Sequence, residues 1–194
     1  MLSAPKMFGR IDPMKDLVYK IEISARHVHL SPADFKVLFG ADAVLGKVCD
    51  LSISGEFKSD QTVTIVGPKR NLERVAVLGP LRAQTQVEVS VTDTYTLGVA
   101  NVPSRLSGDL AGSAPVKLRG PQGEIDLPEG MIIARRHLHI SRDDMAKYGL
   151  TNGQKIDIVA GDARAVTFHQ VVVRESAVAC PTVHLDTDEG NAFR

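Results

Sequence analysis

The sequence has no tryptophan, only 5% aromatic residues, two cysteines and no excess of either charge, since Lys plus Arg and Asp plus Glu both number 23 in 194 residues. Each scarcity argues against a class of function. Nucleic-acid binding draws on counterion release by a basic excess, and single-strand binding on stacking rings, so neither is expected. No apolar run approaches the roughly 20 residues that span a bilayer, and the first residues lack an apolar region followed by a small-residue cleavage site. A cytoplasmic protein without a membrane partner is expected. Cys49 and Cys180 stand far apart and outside any Cys-x-x-Cys spacing, which suits reduced thiols serving as small buried hydrophobes. What is present, 43% hydrophobic and 24% charged residues, is the make-up of an ordinary folded chain long enough to bury a real core.

Residues 1–20 place Phe8, Ile11, Met14, Leu17 and Val18 near helical spacing, but Gly9 and Pro13 interrupt the pattern, so this stretch reads as a loose arm. Beyond it the texture is one of short β-branched runs at 61–67, 74–79, 85–91, 116–119, 156–160 and 165–173, separated by Gly-Pro, Pro-Lys and Gly-Asp turns. That spacing predicts a mainly β chain of sheets or barrels rather than βαβ units.

The chain repeats itself. Residues 23–34, Ile-Ser-Ala-Arg-His-Val-His-Leu-Ser-Pro-Ala-Asp, align without a gap on residues 133–144, Ile-Ala-Arg-Arg-His-Leu-His-Ile-Ser-Arg-Asp-Asp. In each copy a Ser (Ser31, Ser141) is followed three residues later by Asp (Asp34, Asp144), the arrangement of a helix N-cap with an acidic first turn. Pro32 strengthens the first copy. Each unit therefore reads as strand, His-x-His and a short helix to about Phe39 or Tyr148. The boundary between the duplicated modules is expected in the Gly- and Pro-rich stretch 120–130.

Because side chains alternate along a strand, His27 and His29 share one face while Val28 and Leu30 share the other, and His137 and His139 repeat this against Leu138 and Ile140. Two imidazoles converging in each copy suit zinc or a similar ion. One such pair means little. Two in a matched context, using four of the six histidines, outweigh the bland alternative of histidines kept for hydrogen-bonded packing. His184, between Val183 and Leu185, is a fifth ligand candidate, whereas His169 has no ligand-spaced neighbour and is left out. The acidic run Asp186, Asp188, Glu189 lacks the layout of a calcium loop and reads as a solvated face. If a strand begins near Arg82, that residue shares its polar face with Glu88, offering an oxyanion fork beside a metal ligand.

Taken together, Ser24-Ala-Arg-His-Val-His-Leu-Ser31, Leu78-Gly-Pro-Leu-Arg82, Gln86-Val-Glu-Val-Ser90, Thr92-Asp93, Leu97-Gly98, Arg136-His-Leu-His-Ile-Ser141 and His184-Leu-Asp-Thr-Asp-Glu189 resemble the PduL-type phosphotransacylases, the phosphate propanoyltransferase family, from about residue 20 onward. The resemblance implies interconversion of a short-chain acyl-CoA, propanoyl or acetyl, plus phosphate with acyl phosphate plus CoA. It also implies two β-barrel domains with short capping helices and two zinc-type ions between them. His27, His29, Glu88, His137, His139 and His184 would be the ligands, Arg82 would hold phosphate, and Ser24 would lie near CoA. The expected organisation is an arm over 1–20, a first barrel over 21–125 and a second over 126–194, with the C-terminal segment returning to the first. Many members work inside bacterial microcompartments, among shell and core enzymes of pathways such as propanediol degradation. Their amphipathic targeting helix is not matched by an arm containing Gly9 and Pro13. The chain also reads Ser90-Val-Thr-Asp93 where the family often has Ser-Arg-Thr-Asp. A homo-oligomer is expected, with no feature fixing its number.

Phosphate is already nucleophilic near neutral pH, so no Ser or Cys nucleophile is required; positive charge and positioning are what two anionic reactants lack. Rival readings are a metal-dependent thioesterase, which would use water instead of phosphate, and a non-catalytic scaffold component with a coordinatively closed metal. A cupin-like oxygenase would need a Glu shortly after the His pair, and neither copy supplies one.

Overall fold

The computed structural model describes residues 17–193, so the expected arm lies outside the described residues up to position 16. The two His-x-His segments form strands as their alternation predicts: β2 (His27–His29) and β10 (His137–Ile140). Val28 and Leu30 are fully buried in one apolar core, Leu138 and Ile140 in a second. Each strand ends at a capping serine. Ser31 Oγ accepts the Asp34 N–H and Ser141 Oγ that of Asp144, both at 3.1 Å, opening α1 (Pro32–Phe39) and α3 (Arg142–Tyr148). A cap of this kind is worth about 1 kcal/mol, and in both copies it stops the strand just after the histidines.

The first sheet closes on itself. β4 (Phe57–Val66), β5 (Leu72–Gly79), β2, β6 (Gln86–Val89), β9 (Glu124–Ala134) and β8 (Ala114–Arg119) pair in turn, and β8 returns to β4. A closed circuit leaves these six strands no free edge. β3 (Lys47–Asp50) hangs from β4 and β7 (Ser104–Arg105) from β9. Cys49 on β3 is exposed and Cys180 half-buried, so neither plays the buried role expected of it. The stretch 120–130, expected as a boundary, is a hairpin turn and much of β9. Pro128 and Gly130 fall where the register jumps from Val116↔Leu127 to Ala114↔Met131, a bulge in which a residue without an N–H is tolerated.

The second sheet runs β11 (Lys155–Ala160), β12 (Val166–Glu175), β10, β13 (Thr182–Asp186), β1 (Lys20–Ser24). Strand by strand its pairing senses match β4, β5, β2, β6, β9. Among the described residues no counterpart of β8 joins β1 to β11, so the second lobe shows five strands of one sheet and its closure into the expected second barrel is not shown. The Tyr19 hydroxyl spans that gap, donating to the Val159 carbonyl at 2.7 Å and accepting the Val159 N–H at 3.2 Å.

The sheets cross the division expected at 125/126. β1, from the start of the chain, completes the second sheet, and most of β9, from beyond that point, completes the first. β13 stays in the second sheet instead of returning to the first barrel. Contact with the first lobe is made by α4 (Thr187–Ala192), where Asp188 Oδ2 accepts the Thr92 N–H of α2 (Val91–Leu97) at 2.8 Å. The two-residue links 25–26 and 135–136 are therefore crossings between lobes, each leading straight into a His-x-His strand.

Candidate active site

The strand exchange brings the two histidine faces to one cleft. On the antiparallel partner of β2, Glu88 stands opposite His27; on the antiparallel partner of β10, His184 stands opposite His137. Each lobe thus assembles a triad of two histidines from one strand and a third donor from the equivalent position of the next. In both triads, His27, His29, Glu88 and His137, His139, His184, the potential ligand atoms lie within 4.8 Å of one another. His29 and His139 are only 2% and 4% exposed.

The crossings also orient the rings. His27 Nδ1 lies 2.9 Å from the Ala25 carbonyl and His137 Nδ1 2.7 Å from the Arg135 carbonyl. A carbonyl can only accept, so each Nδ1 carries the proton, leaving Nε2 of the neutral ring with its lone pair toward the cleft. His139 Nδ1 is held by Ser176 Oγ at 2.6 Å, and His184 Nδ1 is 3.5 Å from Ser24 Oγ. His137 Nε2 and His139 Nε2 are 2.9 Å apart.

Charge separates the triads. Burial lowers the pKa of His139 to about 2, assisted by His137 and His184, and that of His137 to about 4; His184 is lowered for the same reason. The all-histidine triad is neutral at pH 7. In the other, burial and the neighbouring His27 and Arg82 lower His29 to about 3. His27 moves the opposite way: burial opposes its charge, but Glu88, with Oε2 3.5 Å from Nε2, outweighs burial and raises it. Glu88 is reciprocally lowered, burial being overcome by His27.

Both donor sets fit a divalent cation. His29 Nδ1 and His184 Nε2 are buried without a hydrogen-bond partner, although Glu22 Oε2 lies 3.4 Å from the latter, close enough to attract but not aligned to bond. Such orphaned atoms cost about 1–3 kcal/mol each, a cost that a bound cation removes for an atom it ligates. Three N/O donors with room for an exchangeable fourth is the pattern of catalytic zinc.

Around the triads is a cleft of about 690 Å³ whose lining includes Ser24, Arg82 and Arg174. Arg82 is not on the strand with Glu88. β6 begins at Gln86, and Arg82 lies in the loop before it, its N–H donating to the Leu30 carbonyl at 2.9 Å. That loop follows Gly79, the last residue of β5, packed so closely on Phe57 that any Cβ would collide with the ring. Gln86 and Glu88 on β6, and Ser90 just beyond its end, are buried, not solvated. Sequence reasoning missed Arg174, opposite His139 on β12; its only local signal is a charge ending the run Val171-Val-Val173. Ser176 and Glu56, which also line the cleft, carry no signal in the sequence. His169 is exposed and paired with Asp157 at 2.9 Å. In the acidic run, Asp186 caps α4, and Glu189 completes the capping box and pairs with Arg136 at 2.6 Å, so these two carboxylates build a helix start, not a free face.

A profile of the phosphate propanoyltransferases matches residues 20–194, the span that holds both sheets and every cleft residue named above. The chain belongs to the phosphate propanoyltransferase family. Among its relatives named phosphate propanoyltransferase, that of Shewanella putrefaciens is 44% identical over 189 residues, covering 96% of this chain and 89% of the relative. The Priestia megaterium protein is 49% identical over 170 residues, 88% of this chain and 78% of its own length. The Salmonella typhimurium protein is 40% identical over 183 residues, 94% and 86% of the two chains.

Proposed function

We propose that the protein is a metal-dependent phosphate acyltransferase that interconverts a short-chain acyl-CoA, propanoyl or acetyl, and phosphate with acyl phosphate and CoA. The observation that carries this reading is that one cleft holds two donor triads and the Arg82 guanidinium; membership of the family supports the reaction class. His27, His29 and Glu88 would hold one zinc-type ion and His137, His139 and His184 a second. Bound there, such ions supply Lewis acidity and a soft partner for sulfur.

The chain's own groups account for binding and order. Arg82 offers a planar fork to two phosphate oxygens and fixes the anion's orientation. Arg174 adds a second positive charge from the other lobe, so that two anionic reactants can share the cleft. Ser24, at the end of β1 and 3.5 Å from His184 Nδ1, would lie near CoA. Phosphate then attacks directly: an oxygen lone pair forms the new C–O bond, the C–S bond breaks, and its electron pair leaves on sulfur. With hydrogen phosphate as the nucleophile, its proton balances the departing thiolate, and no enzyme nucleophile is consumed.

The test is formation of acyl-CoA from propanoyl phosphate and acetyl phosphate with CoA, with metal content measured on the same sample and turnover repeated after chelation. Activity that falls and returns with bound metal is expected. CoA release from acyl-CoA that ignores phosphate would make the protein a thioesterase, metal without turnover of either substrate would favour a scaffold, and an acyl group trapped on Cys49, Cys180 or a serine would overturn direct attack.

A further inference from the structure

Arg82 already has an anion on one arm of its fork and a hydroxyl on the other. Its Nη2 lies 2.9 Å from Glu56 Oε1, and its Nη1 donates to Ser107 Oγ at 3.2 Å. The pair is partly sheltered, with side chains 30% and 23% exposed, so it is screened less than a surface ion pair. Glu56 sits on a strap of residues 51–56 between β3 and β4 that crosses from the first lobe to the second. Ser54 N–H donates to the Ala177 carbonyl at 3.2 Å, and Ile53 pairs with Val178. Within the strap, Leu51 N–H donates to the Glu56 carbonyl and Glu56 N–H to that of Ile53, both at 3.0 Å. The strap is therefore held by its backbone, independently of the Glu56 side chain, which projects into the cleft with Arg82 and Arg174.

A carboxylate and a phosphate present the same feature to a guanidinium, two anionic oxygens that match its parallel N–H groups. We propose that Glu56 is a built-in stand-in for the phosphate oxyanion, neutralising the Arg82 fork until the incoming anion displaces it. This rests on Arg82 being the phosphate holder. Glu56 then touches no reacting atom. It is a specificity residue that sets how strong an anion must be to enter, and it disfavours one such as chloride that cannot engage the fork with two oxygens. The strap's anchorage on the second lobe keeps this competitor at one position in the cleft mouth.

Calorimetric titration of inorganic phosphate into protein as purified, with its metal content measured, tests the idea. Glu56→Gln keeps shape and a hydrogen-bonding oxygen but removes the charge, and Glu56→Ala removes both. Both are expected to bind phosphate about five-fold more tightly than wild type, the scale of one partly sheltered ion pair, with chloride becoming a better competitor. In the acyl-transfer assay the phosphate KM should fall by a similar factor while the acyl-CoA KM stays within about two-fold, a split that mere loss of folding would not produce. Unchanged or weaker phosphate binding in both variants overturns the proposal and makes Glu56 a prop for Arg82. Phosphate binding that ignores Arg82→Ala overturns it as well, because the anion site is then elsewhere. The titration requires no turnover: a wild type that binds phosphate through Arg82 but transfers no acyl group would remove the acyltransferase reading and leave the Glu56 result standing.

Discussion

The two triads occupy equivalent positions in the duplicated lobes, yet one carries a carboxylate where the other has an imidazole. Glu88 and His184 each face the first histidine of a His-x-His strand, so the backbone plan is shared and only one side chain changes the charge. That change is enough to hold His27 toward its protonated form while His137 is driven toward neutrality by burial. Duplication thus preserved a geometry for gathering three donors and left each copy to set its own electrostatics. The cleft also holds a guanidinium from each lobe, Arg82 from the first and Arg174 from the second, besides Arg26 on the link between them. The first is already paired with Glu56, whereas Arg174, lowered by its burial, completes the comparison from the other side.

The most forceful way to break this comparison is to remove a donor from each triad in turn. His29→Ala and His139→Ala should each cost at least about 100-fold in turnover, since loss even of a residue that only orients a ligand costs about 10–100-fold, and elemental analysis should show about half the metal gone in each. If one substitution leaves both metal and turnover intact, that triad is structural and the lobes are not functional equals. Next comes Arg82→Ala, which should raise the phosphate KM by about 10–100-fold, the worth of a charge-assisted hydrogen bond of roughly 1.5–3 kcal/mol, with metal content unchanged. Metal loss in that variant would place Arg82 in the ligand framework instead.

A finer difference is that His27 and His137 are oriented by main-chain carbonyls, whereas His139 depends on a side chain, Ser176. Ser176→Ala should weaken metal binding at the second triad by about ten-fold and leave the first unaffected, which competition with a chelating dye resolves as one weakened site and one unchanged. The smallest effect concerns chelated protein. His29, His137 and His139 are depressed to about 3, 4 and 2 from 6.5, and His184 is also lowered. As pH falls through 6.5 the unfolded chain takes up protons at these positions and the folded protein does not, so stability drops. His27, raised, works the other way, adding stability below 6.5. The four lowered histidines, set against His27 and the raised carboxyls of Asp186 and Glu189, predict a thermal midpoint several degrees lower at pH 5 than at pH 7, read by calorimetry; a flat profile would show the rings to be better solvated than their burial indicates.

Much of the fold and most of the site can be read locally. The alternation of His27, Val28, His29 and Leu30 names both the strand and its core face, and Ser31 with Asp34 names the helix that follows. Those signals depend on neighbours within four residues, and the structure bears them out in both copies. The loop position of Arg82 was less legible, because an alternating run such as 82–90 does not announce where pairing begins. Cys49 shows the same limit: whether an apolar strand residue is covered depends on which strand comes next, and among the described residues none covers β3. Ser176 and Glu56 were invisible, since each acts on a residue 26 or more positions away.

Residue order along short segments was enough to specify strands with histidines on one face, their capping serines and the repeat itself, because side-chain alternation and capping are one-dimensional rules. Which sheet each strand joins was settled by folding. β1 pairs with β13 across some 160 residues, and β9 closes the barrel of the opposite module. Such pairings are chosen by total burial and edge satisfaction over the whole chain. That exchange carries the links 25–26 and 135–136 from one lobe to the other and brings the two His-x-His strands to one cleft.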